Sequence, residues 1–179
     1  EFRKIDVNTP VVLMGYANPV EALGYESFAS KAKKCGVDGI LIVDYPPEES
    51  GEWVECLNEY GIDAIFLLSP TTPKSRIEHV AKLAKGYVYY VSLKGVTGAS
   101  HLDLENVNMM LKELRQHIAI PIGVGFGIRD GATARVVANL ADAVVIGSRI
   151  IEEIEHAKQD DLLAKVGLLL TSFRKAMDE

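Results

Sequence analysis

The chain has 179 residues, of which 48% are apolar and 25% charged, and its formal net charge is −6. That composition suits a globular domain with a sizeable core. The acidic balance argues against a nucleic-acid surface, and no apolar run reaches the roughly 18–20 residues that a bilayer span needs. The opening "EFRKIDVNTP" lacks the apolar stretch of a signal peptide. The two cysteines, Cys35 and Cys56, have no metal-type spacing and fall in helix-like segments. They are expected to be buried thiols in a reducing compartment, which implies a cytoplasmic protein.

In chain order, the first apolar run is "VVLMGY" at 11–16. A helical stripe follows, with Phe28, Ala29, Ala32 and Cys35 on one face, and Gly36 stands where that helix should stop. "GILIVD" at 39–44 comes next, then a stripe of Trp53, Val54, Leu57 and Tyr60 that ends at Gly61. "AIFLLS" at 64–69 and "YVYYVS" at 87–92 lead to a third stripe, Val107, Met110, Leu111, Leu114 and Ile118. "PIGVGFG" at 121–127 and "AVVIGS" at 143–148 precede a last long helix with Leu163, Val166, Leu170 and Phe173 in register. Each apolar run is short, continuous and bounded by turn residues, as strands of a parallel sheet covered on both faces are. Six strands alternating with helices predict an α/β fold in one domain over residues 1–179.

The glycines choose between an open sheet and a barrel. An open nucleotide-binding sheet carries its glycine-rich turn after the first strand. Here glycines crowd after the last two strands, at Gly125–Gly127 and Gly147, with a further glycine-flanked loop at 92–106. Neither G-x-G-x-x-G nor a Walker-type loop is present. In (β/α)8 barrels the loops after strands 7 and 8 often hold a phosphate. Glycine there lets backbone N–H groups approach an oxyanion, and Ser148 adds a hydroxyl at a helix start. The loop "SLKGVTGASHLDLEN" suits a lid over such a site, with Ser100 able to cap the following helix.

Five ordered blocks, "VLMGYANPVEALGYESF", "GVDGILIVDYPPEES", "FLLSPTT", "YYVSLKGVTGA" and "IGVGFGIRDGATARVVANLADAVVIGSRIIE", together resemble the tryptophan synthase alpha chain family. The resemblance implies a TIM (β/α)8-type barrel, truncated at the N-terminus to about six β-α units. It implies cleavage of indole-3-glycerol phosphate to indole and glyceraldehyde 3-phosphate in tryptophan biosynthesis, with no cofactor and no metal. The implied partner is the pyridoxal-phosphate-dependent beta chain. By the same resemblance Gly98, Gly127, Gly147 and Ser148 match phosphate-binding positions, and Phe126 packs on the indole ring. Met14, Leu41 and Leu67 form apolar pocket wall. Tyr89 and Thr97 steady a catalytic aspartate. Asn18, Asp44 and Pro46 face the beta chain.

The chain departs from the family in one respect that bears on activity. The family's catalytic glutamate and aspartate belong to its first two β-α units, and no residue here matches them. The six strands would correspond to strands 3 to 8, and a barrel opened this way invites pairing with a second copy through its free edges. Leu93-Lys94 also stands where an arginine is common in this loop. Asp44 is the only acid at a strand end that could substitute, and it is better read as a turn and interface acid. Asp103, Glu105 and Asp130 read as helix-start charges, and Glu48 and Glu49 as the same. His79, His101, His117 and His156 form no metal pair. Trp53 is expected between helix and barrel, and "KQDD" at 158–161 as a solvated helix junction. Three alternatives remain open at this point. They are an alpha-type lyase, a non-catalytic module that binds a phosphorylated ligand or the beta chain, and a different phosphate-binding barrel enzyme; the blocks "GYANP" and "VDYPPEES" speak against the last.

Overall fold

The computed structural model describes residues 1–92, 104–125 and 127–179. The chain divides into two compact units, Glu1–Tyr89 with His117–Ile120, and Tyr90–Gln116 with Pro121–Glu179.

The first unit holds β1 (Val12–Gly15), α1 (Ala17–Leu23), α2 (Tyr25–Lys34), β2 (Gly39–Ile42), a 3-10 turn at Pro47–Glu49, α3 (Gly51–Glu59), β3 (Asp63–Leu68) and α4 (Lys74–Leu83). β1 and β3 both pair in parallel with β2, which lies between them. Ile40 and Leu41 of β2 are 2% and 1% exposed. A strand flanked on both edges and covered on both faces has no solvent side, so "GILI" carries no alternation. Gly39 is required by packing, because a Cβ there would lie 2.7 Å from Ile65 Cδ1.

The helices of this unit end as the sequence predicts. Gly36 and Gly61 take φ of +79° and +61°. The N–H of Gly36 bonds to Lys33 and that of Val37 to Ala32, and Gly61 and Ile62 repeat the pattern on Asn58 and Leu57. These are Schellman closures, in which the residue after the glycine is apolar and buried. Val37 and Ile62 fill that role.

The starts of β1 and β2 are tied together by Arg3. Its guanidinium donates to the carbonyls of Gly36 and Thr9 at 2.9 and 2.7 Å and pairs with Asp38. Asp38 also accepts from the Val11 N–H at 2.7 Å. Trp53 is buried, with its ring 5.3 Å from Tyr25 and 6.0 Å from Phe28. It therefore packs between α3 and α2.

β4 (Val88–Val91) crosses from the first unit into the second, which continues with α5 (Leu104–Leu114), β5 (Ile122–Gly125), α6 (Gly131–Ala138), β6 (Ala143–Val145), α7 (Ser148–His156) and α8 (Leu162–Asp178). β5 and β6 pair in parallel, and every residue of β5 is buried. The Ile122 N–H donates to Asp142 Oδ2 at 2.9 Å, and Arg115 holds the same carboxylate at 2.9 Å. α8 packs on α6 so tightly that a Cβ on Gly131 would sit 2.8 Å from that of Ala176.

Two expectations are corrected. Cys35 is exposed and Cys56 only half-buried. Cys35 is the C-cap of α2, past the last buried turn, so the helical stripe does not extend to it. Of the stripe on α8 only Phe173 is buried, while Leu163 is 87% exposed. The contact with α6 covers the C-terminal half of α8, where Ser172 and Ala176 meet Gly131. Among the described residues nothing buries Leu163. The segment 158–161 is an exposed junction between α7 and α8, as predicted.

The start of α6 is fixed by Asp130, whose Oδ1 accepts from the Thr133 N–H at 2.8 Å. The hydrogen bonds from Thr133 hold the Asp130 carboxyl below its usual 3.8. Asp130→Ala should lower unfolding free energy by about 1 kcal/mol, the usual worth of such a cap. A carboxyl whose folded pKa is depressed stabilises fully above its unfolded pKa and loses that contribution as pH falls through the folded value. Urea titrations of both proteins should therefore differ at pH 7, with the difference shrinking as pH falls through the lowered folded value.

Candidate functional site

Parallel strands deliver their C-terminal ends to one edge of each sheet, and Met14, Leu41, Leu67, Gly127, Gly147 and Ser148 lie at or just beyond those ends. In the first unit Met14 pairs with Leu41, and Leu41 with Ile65. Neighbours in register point to the same face, and residues two apart on one strand share it. Met14, Leu41 and Ile65 therefore form a row across the sheet, with Leu67 one step further along β3 on the same face. Leu41 is buried, Leu67 half-buried and Met14 61% exposed. The sequence reading missed Ile65. Its period-two spacing from Leu67 was the available signal.

Asp44 follows β2, and its Oδ1 accepts the Ala17 N–H at 2.8 Å. Ala17 opens α1, so Asp44 caps that helix from another loop. The contact joins "YANP" to "VDYPP" and brings Asn18 and Asp44 to one exposed surface, with Pro46 two residues further on. Nearby, Tyr45 and Tyr25 both donate to Glu21, and their hydroxyls touch. Burial, and then the hydrogen bond to Glu21, push the Tyr45 phenol far up, so it stays a donor. The Tyr45 and then the Tyr25 hydroxyl hold the Glu21 carboxyl below its usual range.

Tyr89 lies on β4, half-buried, and burial raises its phenol pKa, which keeps it protonated at neutral pH. Ser92, just after β4, is 8% exposed, and its N–H and hydroxyl both reach the Gly125 carbonyl, at 3.2 and 3.3 Å. The sequence reading missed Ser92 as well. A polar residue closing the apolar run "YVYYV" was the only clue.

In the second unit, Gly127 follows β5 with φ of +71°, a conformation that favours glycine. A Cβ there would meet no described atom within 4 Å, so among the described residues the space beside this backbone is open. Gly147 is the N-cap of α7 and Ser148 its first residue, with no side-chain cap. The Gly147 carbonyl takes the N–H groups of Ile150 and Ile151 at 2.9 and 3.2 Å. The earlier N–H groups point out of the helix start with its positive dipole end. Arg149 turns back along α7 to Glu153 at 2.7 Å. The helix starts that follow β5 and β6 thus differ. α6 is closed by the carboxylate of Asp130, whereas α7 presents bare backbone and a hydroxyl.

Thr97, Gly98, Phe126, Leu93, Lys94, Ser100, His101 and Asp103 lie outside the described residues. Glu105 sits in the first turn of α5, as predicted. His79 and His156 each contact a backbone carbonyl, and His117 lies 3.9 Å from Glu78. Among the described residues no cluster of His, Cys, Asp or Glu could hold a metal ion.

The sequence profile of the family described as "Tryptophan synthase alpha chain" matches residues 1–177. The chain belongs to that family. It is 68% identical over 178 residues to the tryptophan synthase alpha chain of Nitrosomonas europaea and 67% identical to that of Nitrosospira multiformis. It covers 99% of its own length in both matches but only 65% and 64% of those relatives, just under two thirds. Tryptophan synthase subunit alpha from Legionella pneumophila superposes with a TM-score of 0.89 at 40% identity, covering 99% of this chain and 66% of that one. A chain of the tryptophan synthase α2β2 complex of Pyrococcus furiosus gives 0.83 at 31%, covering 99% and 70%. The fold is accordingly α/β of the TIM-barrel type, in six β-α units.

Gly127→Val adds two branches to a backbone that favours glycine and fills the open space beside it. Calorimetric affinity for inorganic phosphate should fall by about tenfold or more, the equivalent of losing one charge-assisted hydrogen bond. An unchanged affinity would remove Gly127 from the site.

Proposed function

We propose that this chain holds the substrate for an alpha-type lyase reaction, the cleavage of indole-3-glycerol phosphate to indole and glyceraldehyde 3-phosphate in cytoplasmic tryptophan biosynthesis. Family membership and the uncapped Gly147–Ser148 start of α7 support the reading. The phosphate lies against the N–H groups of Gly127, Gly147 and Ser148, and the family resemblance adds Gly98 to that grip. The Ser148 hydroxyl donates to it. The indole ring lies on the apolar row of Met14, Leu41 and Leu67, and the family resemblance assigns Phe126 to the same ring.

The reaction is a retro-aldol cleavage. The ring carbon that bears the glycerol chain gains a proton, a glycerol hydroxyl loses one, and the bond between ring and chain breaks. Tyr89 and Thr97 orient a carboxylate for the proton transfers. Asp44 does not supply that carboxylate, because it is committed to capping α1. No cofactor is called for by acid–base chemistry of this kind. Asn18, Asp44 and Pro46 form the face towards a beta chain, which takes up the indole. A non-catalytic module would show the same grip, and turnover separates the two readings.

Titration of the full chain with indole-3-glycerol phosphate should show binding that inorganic phosphate displaces. Released indole should stay below detection for this chain by itself, since neither family carboxylate has a counterpart in it. Absence of binding would overturn the reading. Turnover abolished by Asp44→Asn would overturn the assignment of Asp44.

Among the described residues β1 has a hydrogen-bonded neighbour on one side only, and its Leu13 and Met14 are 40% and 61% exposed. A free strand edge carrying apolar side chains favours self-association. Light scattering over a dilution series should show a species larger than a monomer at high concentration. A monomer throughout would argue against it.

A further inference from the structure

Two side chains of α4 reach the loop after β2, and neither has a part in the substrate grip. Arg76 Nε donates to Glu48 Oε1 at 2.8 Å. His79 Nε2 lies 3.1 Å from the Pro47 carbonyl oxygen, so the ring donates from that nitrogen. Arg76 and His79 are three residues apart and share one helix face. One restrains a side chain of the loop, and the other restrains its backbone at the buried Pro47.

Local stability does not account for Arg76. It stands in the first turn of α4 with Lys74 and no acid, where the helix dipole disfavours a cation. Its pair with Glu48 is about half exposed on both sides, and such pairs add little to global stability. The loop itself is held from three further directions. Asp44 is bound to the Ala17 N–H, Tyr45 to Glu21, and the Pro46 carbonyl accepts from the buried Ser50 hydroxyl at 2.7 Å. Two successive prolines restrict the backbone between these ties. A surface loop so restrained has little conformational freedom left to lose when a partner docks.

We infer that Arg76 and His79 are positioning residues for a protein-docking face made by Asn18, Asp44 and Pro46. The inference rests on the reading above that this face meets a beta chain. Neither side chain needs to touch the partner. They act by holding Pro47 and Glu48, and through them the residues that do.

The test uses the full chain as wild type, as R76A, H79A and the double variant, and as R76K. Two quantities are read. The first is hydrogen exchange at the Glu49 and Ser50 amides, which bond to the Pro46 and Pro47 carbonyls at 3.0 and 3.3 Å. The second is the Kd for a tryptophan synthase beta chain by calorimetry. In the double variant both should rise about tenfold, with amides of β2 and β3 unchanged and Tm within about 4 °C of wild type. R76K should return the Kd to within about threefold of wild type. Unchanged exchange in the double variant overturns the clamp. Faster exchange with an unchanged Kd overturns its role in docking. A large loss of Tm that R76K does not repair marks a purely structural role and also overturns it. If wild type binds no beta chain, the reading of the face falls and the docking role with it, while the exchange measurement still decides whether the clamp exists.

Discussion

Asp38 sets the register on which the first unit depends. Its N–H bonds to the Val11 carbonyl and its own carbonyl accepts from Asp63, while its carboxylate takes the Val11 N–H and the Arg3 guanidinium. Three strands are thereby aligned at their starts by one residue. In a sheet a slip of one residue turns every side chain to the opposite face. The row of Met14, Leu41 and Ile65 at the far ends exists because that slip is prevented. So does the approach of Asp44 to Ala17, which needs β1 and β2 to end level.

The second unit shows how one fold treats two similar helix starts differently. Both α6 and α7 follow a strand and open with exposed N–H groups. At α6 the chain supplies its own anion in Asp130. At α7 a glycine stands at the corresponding position and leaves the electropositive end to solvent. A phosphate bound there, as proposed, would meet no capping carboxylate, and Arg149 of the first turn is already paired with Glu153. The proposed affinity would rest on oriented backbone dipoles, which lose little on reorganisation because the helix already holds them.

Much of this was legible in the sequence because short-range physics dictates it. Buried parallel strands must be continuous apolar runs, and all six appear where "VVLMGY" through "AVVIGS" place them, trimmed by a residue or more at the ends. Gly36 and Gly61 end helices because positive φ is cheap only for glycine. The cap at Asp130 and the junction at 158–161 are equally local. What failed were inferences about which face meets what. Cys35 continues a helical stripe in sequence but lies beyond the last packed turn. Leu163 and Leu170 fit the stripe of α8, yet only Phe173 lies against a described neighbour. Ile65, Ser92 and Arg76 matter through partners 24 to 33 residues away in the chain or across a helix, and no local pattern announces such pairs.

The Schellman closures of α2 and α3 bear on how this protein can change over generations. Each leads from helix into strand through a glycine and one buried apolar residue, Val37 or Ile62, so the connection has no slack. An inserted residue there would misplace a core side chain and shift a strand together. At the opposite edge Tyr16 alone separates β1 from α1, but the connections after β2 and β3 are longer, over residues 43–50 and 69–73. Length variation is therefore channelled to the edge that carries the proposed site and docking face. Lineages can revise recognition there without disturbing the scaffold beneath.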